Sequence, residues 1–216
     1  AEIARASGLS TQAVSNIIAD LLSDGWIEEK GRKAGTRGLP AVQYALNANG
    51  AYAAGVVIRS DAVFVALLDM RGAPVLTERR ALHAATRESI TDTVQEVLAD
   101  GIARSGIPRD RLLGAGVVMP GPFGATGLQD RVADLTIWDD TAPGDWLSAA
   151  LDLPVVVEND ANAAAIAERV SGAAQGLQTY ALLYFGVGLG LGVVHKGQLM
   201  TGAHGNAGEI GRIPVA

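Results

Sequence analysis

The chain has 216 residues, of which 49% are hydrophobic and 19% charged; its formal net charge is −6 and it contains no cysteine. This globular balance leaves enough length to bury a core in one small and one larger unit, and it excludes disulfides and thiolate metal sites from these residues. No apolar run approaches the roughly 20 residues that span a bilayer, and the start lacks the basic-then-apolar order of a signal peptide, so a cytoplasmic protein without a membrane segment is expected.

Residues 1–50 hold five basic and five acidic groups, so the excess negative charge lies in the remainder. An acidic body argues against nonspecific nucleic-acid binding by that part. Ala1 to Ala6 read as a helix that ends in Ser7-Gly8-Leu9, and Ser10 suits the N-cap of a second helix running to about Ser23. In that helix Val14, Ile17, Ile18, Leu21 and Leu22 form an apolar face. Thr11, Gln12, Ser15 and Asn16 lie away from it, near the helix N-terminus, where a recognition helix meets base edges and phosphates in a major groove.

Gly25 ends the helix and Trp26-Ile27-Glu28 begins a strand. The basic, glycine-rich segment Lys30 to Gly38 then reads as a hairpin tip before an extended stretch, Val42 to Leu46. Together these predict a winged helix-turn-helix over residues 1–48, with Arg37 the first candidate for a DNA contact and Lys30 a solvated surface charge. An ordinary helical hairpin with a charged loop is the alternative.

Asn47-Ala48-Asn49-Gly50 marks a boundary. Beyond it Ala54–Ile58, Val63–Asp69 and Val75–Arg80 predict an antiparallel meander, Glu88 to about Arg104 a helix, and Leu113–Met119 a buried strand broken by Pro120-Gly121-Pro122. That order points to an α/β domain. Phe123 to Thr141 reads as a long loop over a cleft, and Trp138 and Trp146 either anchor it or stack on a sugar. A short helix, Asp145 to Leu151, precedes the strand Val155–Val157.

Glu158-Asn159-Asp160-Ala161-Asn162 follows that strand and opens an alanine-rich helix, so a buried strand delivers Asp160 to a cleft. Asp160 can contact a ligand there, cap the helix that follows, or do both. From Phe185 to Gly192 glycine stands at every other position, which lets backbone amides approach an anion. Tyr180–Phe185 and Leu189–His195 flank this turn as strands and repeat the earlier meander, which suggests two similar lobes across a cleft.

These residues resemble the ROK family of repressors, open reading frames and sugar kinases. The likeness rests on the winged helix, Gly121-Pro122, Leu153-Pro154-Val155 leading into Glu158 to Ala164, the glycine turn, and Gly202-Ala203-His204-Gly205-Asn206-Ala207-Gly208-Glu209-Ile210-Gly211. It implies an actin-like, hexokinase-type (ribonuclease H-like) two-lobed ATPase fold over residues 49–216, holding the first lobe and the start of the second, in the transcription-regulator branch. On this reading the chain is a fragment whose C-terminal part is missing.

The resemblance assigns sugar binding to Asn159, Asp160 and Glu209, with Asp160 the general base if the protein were a kinase. Three departures argue against kinase chemistry. The family's Asp-x-Gly-Gly-Thr phosphate loop corresponds to Val57-Ile58-Arg59-Ser60-Asp61, and its Gly-Thr-Gly loop to Gly186-Val187-Gly188, so glycine pairs and a phosphate-binding hydroxyl are lost. Arg59 retains an attraction for anions. Arg212 replaces a histidine that serves sugar binding and a zinc site, and arginine keeps its proton; Arg212 is instead a candidate for a ligand hydroxyl or acid group. His195 and His204 are read as structural.

The expectation is therefore a non-catalytic, sugar-responsive transcriptional repressor without zinc or ATP, acting on operator DNA as a homodimer or higher homo-oligomer. An active sugar kinase with an accessory DNA-binding domain is the alternative, and a regulator governed by a protein partner is a third reading.

Overall fold

The computed structural model describes residues 2–33, 41–121, 142–186, 188–203 and 207–213, with Lys33 and Arg212 described in their backbones alone. In chain order the elements are α1 (Glu2–Ser7), α2 (Thr11–Ser23), β1 (Ile27–Lys33), β2 (Ala41–Leu46), β3 (Tyr52–Ile58), β4 (Ala62–Asp69), β5 (Pro74–Ala81), α3 (Arg87–Ser105), β6 (Leu112–Met119), α4 (Pro143–Leu151), β7 (Val155–Asn159), α5 (Asp160–Ser171), β8 (Tyr180–Phe185), β9 (Leu189–His195) and β10 (Gln198–Leu199). No helix among the described residues is long and apolar enough to cross a membrane.

Ser10 caps α2 as its position suggests, its hydroxyl accepting from the Ala13 N–H at 3.2 Å. Val14 is buried and Ile18, Leu21 and Leu22 are half-buried, but Ile17 stays 45% exposed, so the apolar face is narrower than the spacing implies. β1 and β2 pair antiparallel with an irregularity between Glu29 and Gly31. Lys30, Arg32 and Lys33 consequently lie in the strand, not in a tip, and Lys30 pairs with Glu28 at 2.9 Å. Arg37 lies outside the described residues.

The body holds a five-stranded sheet in the order β5-β4-β3-β6-β7. Tight turns make β3, β4 and β5 antiparallel neighbours, whereas β6 and β7 return parallel to β3 after connections that carry α3 and α4. One face packs beneath those helices: Val56, Ile58, Val63, Leu67, Val117 and Met119 meet Ile90, Val94, Val97, Leu98 and Leu147, each at most 2% exposed. Burying each such side chain contributes about 1.5–3 kcal/mol. A second sheet, β10-β9-β8, is antiparallel and carries α5 against β8 and β9.

Strand register sets where the parallel strands end. Val57 of β3 pairs with Val118 of β6, and Val118 pairs with Glu158 of β7. The three strands therefore finish level, and the residues just past them share the carboxyl edge of the sheet, where open α/β sheets present ligand sites.

Candidate functional site

At the end of β7 the chain turns directly into α5. Asn159 is the N-cap: its Oδ1 accepts from the N–H groups of Ala161 at 2.8 Å and Asn162 at 3.4 Å. Capping thus belongs chiefly to Asn159, which corrects the alternative role given to Asp160. Asp160 is the first helical residue and its Oδ1 also accepts from Ala161 N–H at 2.8 Å. Beneath them Glu158 Oε1 accepts from the Asn159 N–H at 2.8 Å and from Asn162 Nδ2 at 2.9 Å.

Asn162 is only 2% exposed, and its buried Oδ1 has no hydrogen-bond partner among the described residues. An unmet buried acceptor costs about 1–3 kcal/mol and is usually met by ordered water or a ligand. The Glu158–Asn162 link escaped the sequence reading, although a Glu and an amide four positions apart across a strand-to-helix turn are a detectable signal.

The opposite wall comes from residues past β9. Gly208 has φ +92°, a backbone that disfavours any side chain, and a Cβ there would collide with the Leu191 carbonyl. Its carbonyl accepts from Leu191 N–H at 3.0 Å, so this segment lies flat along β9 and delivers Glu209. A side chain on Gly121 would begin 2.9 Å from Asn159 Nδ2 and 3.6 Å from Glu209 Oε1. Residues far apart in sequence, Asn159 and Glu209, thereby converge on the bare backbone of Gly121. Arg212 follows in the 3-10 turn Ile210–Arg212, but its side chain lies outside the described residues, as do Val187, Trp138 and His204.

Burial pushes the Asp160 carboxyl above its ordinary pKa; hydrogen bonds from the Ala161 and Asp160 N–H groups and the charge of Arg59 oppose that shift without cancelling it. A carboxylate with raised proton affinity on a rigid mount can accept a hydrogen bond, or a proton, from a hydroxyl.

The alternating glycines divide into two uses. Cβ atoms at Gly190 and Gly192 would stand 2.8 Å from Ala161 Cβ and 2.6 Å from Ala165 Cβ, so these two glycines let α5 approach β9. Gly188, by contrast, faces open space. Gly190 and Gly192 are thus taken up by helix packing rather than by an anion, and Gly186 N–H donates to the Gly188 carbonyl at 2.9 Å.

Trp146 anchors: its Nε1 donates to Thr91 Oγ1 at 3.2 Å and its ring packs against the core. His195 shares a 3.4 Å hydrogen bond with Thr179. Position 212 is Arg, which keeps its proton and does not ligate zinc, and the 216 residues contain no cysteine. Among the described residues no three His, Asp or Glu side chains gather in a metal-holding group. A groove of about 470 Å³ lined by Val57, Phe64, Ala66, Thr77 and Arg79 lies on the other face of the sheet. Its lining is mainly apolar, with Thr77, Glu78 and Arg79 along one strand, so the chemistry favours the strand-end cluster.

The family model for ROK matches residues 53–216. The chain belongs to the ROK family. It is 26% identical over 220 residues to the xylose repressor of Bacillus subtilis, covering 100% of this chain and 56% of that protein. Among solved structures, a ROK family transcriptional regulator homologous to E. coli MLC superposes with a TM-score of 0.76 at 24% identity, over 99% of this chain and 54% of the other. The ROK glucokinase of Streptomyces griseus, solved with glucose and AMPPNP, gives a TM-score of 0.61 at 30% identity over 76% of this chain and 51% of its own. The mixed sheet is thus that of ROK and hexokinase-like kinases. This ROK chain spans about half the length of the curated relatives it matches.

Proposed function

We propose that this ROK protein is a transcriptional repressor of carbohydrate metabolism that senses a sugar or sugar derivative in a cleft without kinase activity. The observation that carries the reading is the convergence of Asn159 and Glu209 on Gly121, with Asp160 following Asn159 at the start of α5 and a β3–β4 turn, Arg59-Ser60-Asp61, that lacks a glycine pair. Two acids and an amide suit a polyol, whose hydroxyls both donate and accept. Arg212 adds a further donor to the ligand, and neither zinc nor ATP has a role. The relatives named as repressors support the regulatory reading.

Residues 1–48 form the winged helix-turn-helix and residues 49–216 the sugar-kinase-like domain. Thr11, Gln12, Ser15 and Asn16 are exposed on α2, with Gln12 Nε2 holding Asn16 Oδ1 at 3.1 Å, and they read operator DNA together with Arg37. Ligand binding between the lobes changes their closure and repositions the DNA-binding units of a homodimer.

The kinase reading keeps one specific support: Asp160 has the mount and raised proton affinity of a general base, and a glucokinase shares this fold. Thermal shift separates the two. In the full-length protein a sugar, sugar acid or sugar phosphate at 100 times its Kd adds about 2.7 kcal/mol, or roughly 5–10 °C, without ATP. The absence of any shift across such a panel contradicts the sensor, and sugar-dependent ATP consumption lost in Asp160→Asn establishes the kinase.

A further inference from the structure

Arg59 follows the last residue of β3, as Asp160 follows the last residue of β7. The register aligns Val57, Val118 and Glu158, so two residues further on Arg59, Pro120 and Asp160 stand level across three parallel strands. Two strand spacings separate the outer pair by about 10 Å. That span leaves room for a ligand substituent between them, and the two do not form an ion pair.

The guanidinium is exposed, and the described residues give it no hydrogen-bonded or ion-paired partner. The acid nearest in sequence, Asp61, is drawn off to Arg79 on β5 at 3.1 Å. The turn itself is held by Arg59 N–H donating to the Ala62 carbonyl at 2.9 Å, so the backbone that mounts Arg59 is fixed before any ligand arrives. The charge reaches the site, because it acts on Asp160. A cation mounted on a held turn level with Asp160 sets a requirement on the ligand that hydroxyl recognition alone does not.

We infer that the carbohydrate taken by this cleft carries an anionic group, a phosphate ester or a carboxylate, and that Arg59 binds it. The inference rests on the carbohydrate-sensing reading and narrows it: Asn159, Asp160 and Glu209 hold the hydroxyls while Arg59 holds the anion. The competing role for Arg59 is to offset the charge of the cleft carboxylates, in which case a neutral sugar binds as well as an anionic one.

The test is calorimetric titration of the full-length protein with matched probes: glucose, glucose 6-phosphate and glucuronate; N-acetylmannosamine and its 6-phosphate; xylose and xylonate. At least one anionic member should bind about tenfold or more tightly than its neutral partner. The preference should shrink with salt, collapse to about one in Arg59→Ala, survive in part in Arg59→Lys, and persist in the neighbouring-strand control Arg79→Ala. Glucose 6-phosphate against glucuronate distinguishes phosphate from carboxylate. Equal binding of neutral and anionic members, or a preference untouched by Arg59→Ala, overturns the inference and leaves carbohydrate sensing intact. Binding of none of the probes overturns both.

Discussion

Arg111 Nη1 donates to the Asp24 carbonyl at 2.8 Å, joining the 3-10 turn that starts β6 to the residue that ends α2, 87 positions earlier. The same nitrogen donates to the Gly50 carbonyl at 3.0 Å, and Asn47 Nδ2 reaches the Gly25 carbonyl at 2.8 Å. Arg71 adds a hydrogen bond from Nε to the Leu46 carbonyl at 2.9 Å and an ion pair with Glu28. Because β6 runs from Arg111 at this junction toward Gly121 at the site, one strand connects the proposed DNA-binding unit to the proposed ligand cleft.

Arg111→Ala should therefore loosen the junction. Loss of two charge-assisted hydrogen bonds to backbone costs about 1–3 kcal/mol. The expected outcome is faster proteolytic cleavage near residues 47–50 and separation of thermal unfolding into two transitions. A single unshifted transition would show that Arg111 holds nothing together.

The two halves of the glycine run should answer differently to alanine. Gly190→Ala and Gly192→Ala place a methyl group into Ala161 and Ala165 of α5 and should cost about 1–3 kcal/mol of overpacking, whereas Gly188→Ala meets open space and should change stability little. Denaturant unfolding of the three variants measures this. Equal tolerance at all three positions would remove the close helix–strand contact from the account.

Asn159→Ala should lower stability by about 1 kcal/mol, the usual consequence of losing a cap that accepts from two N–H groups. Thermal unfolding without ligand isolates this from any effect on binding. An unchanged melting temperature would contradict the capping role.

Asp160→Asn should act in the other direction at neutral pH. Burial raises the Asp160 pKa on folding, so the folded chain takes up a proton more readily than the unfolded one. The penalty for the charged form is fully present above the folded pKa and fades as pH falls through it toward the ordinary carboxylate value. The variant should melt above wild type at pH 7, with the gap closing as the medium becomes acidic; a gap that widens on acidification would reverse the sign argued here.

On DNA, Gln12→Ala and Arg37→Ala should both weaken operator binding in a mobility-shift assay, with loss of sequence preference mainly from Gln12. Full binding by both variants would contradict the proposed placement of α2 in the major groove.

Much of the fold was legible because its determinants are local. Ser10 and Gly25 bound α2, the Asn47–Gly50 turn lies between β2 and β3, and period-two and period-three-to-four apolar patterns mark β3, β4 and α3 within one or two residues. What the sequence concealed depends on neighbours brought from afar. Gly190 and Gly192 look like Gly188 in the chain, and the approach of Ala161 and Ala165 alone separates them. Lys30, Arg32 and Lys33 read as a loop by composition, but the β2 ladder draws them into a strand. The residue types of the candidate site can be read from the sequence. The convergence of Asn159 and Glu209 on Gly121 cannot, because it requires the register of β6 with β7 and the course of residues 208–211 along β9.

The central claim is that a carbohydrate bound at Asn159, Asp160 and Glu209 controls the grip on DNA. The direct measurement is fluorescence anisotropy of the full-length protein on its operator, titrated with sugars, sugar acids and sugar phosphates, in wild type and in Asp160→Ala and Glu209→Ala. The account predicts that at least one of these compounds releases wild-type protein from DNA and that the response is lost in both variants while operator binding itself remains. Release by the same compounds at unchanged concentrations in both variants would contradict it.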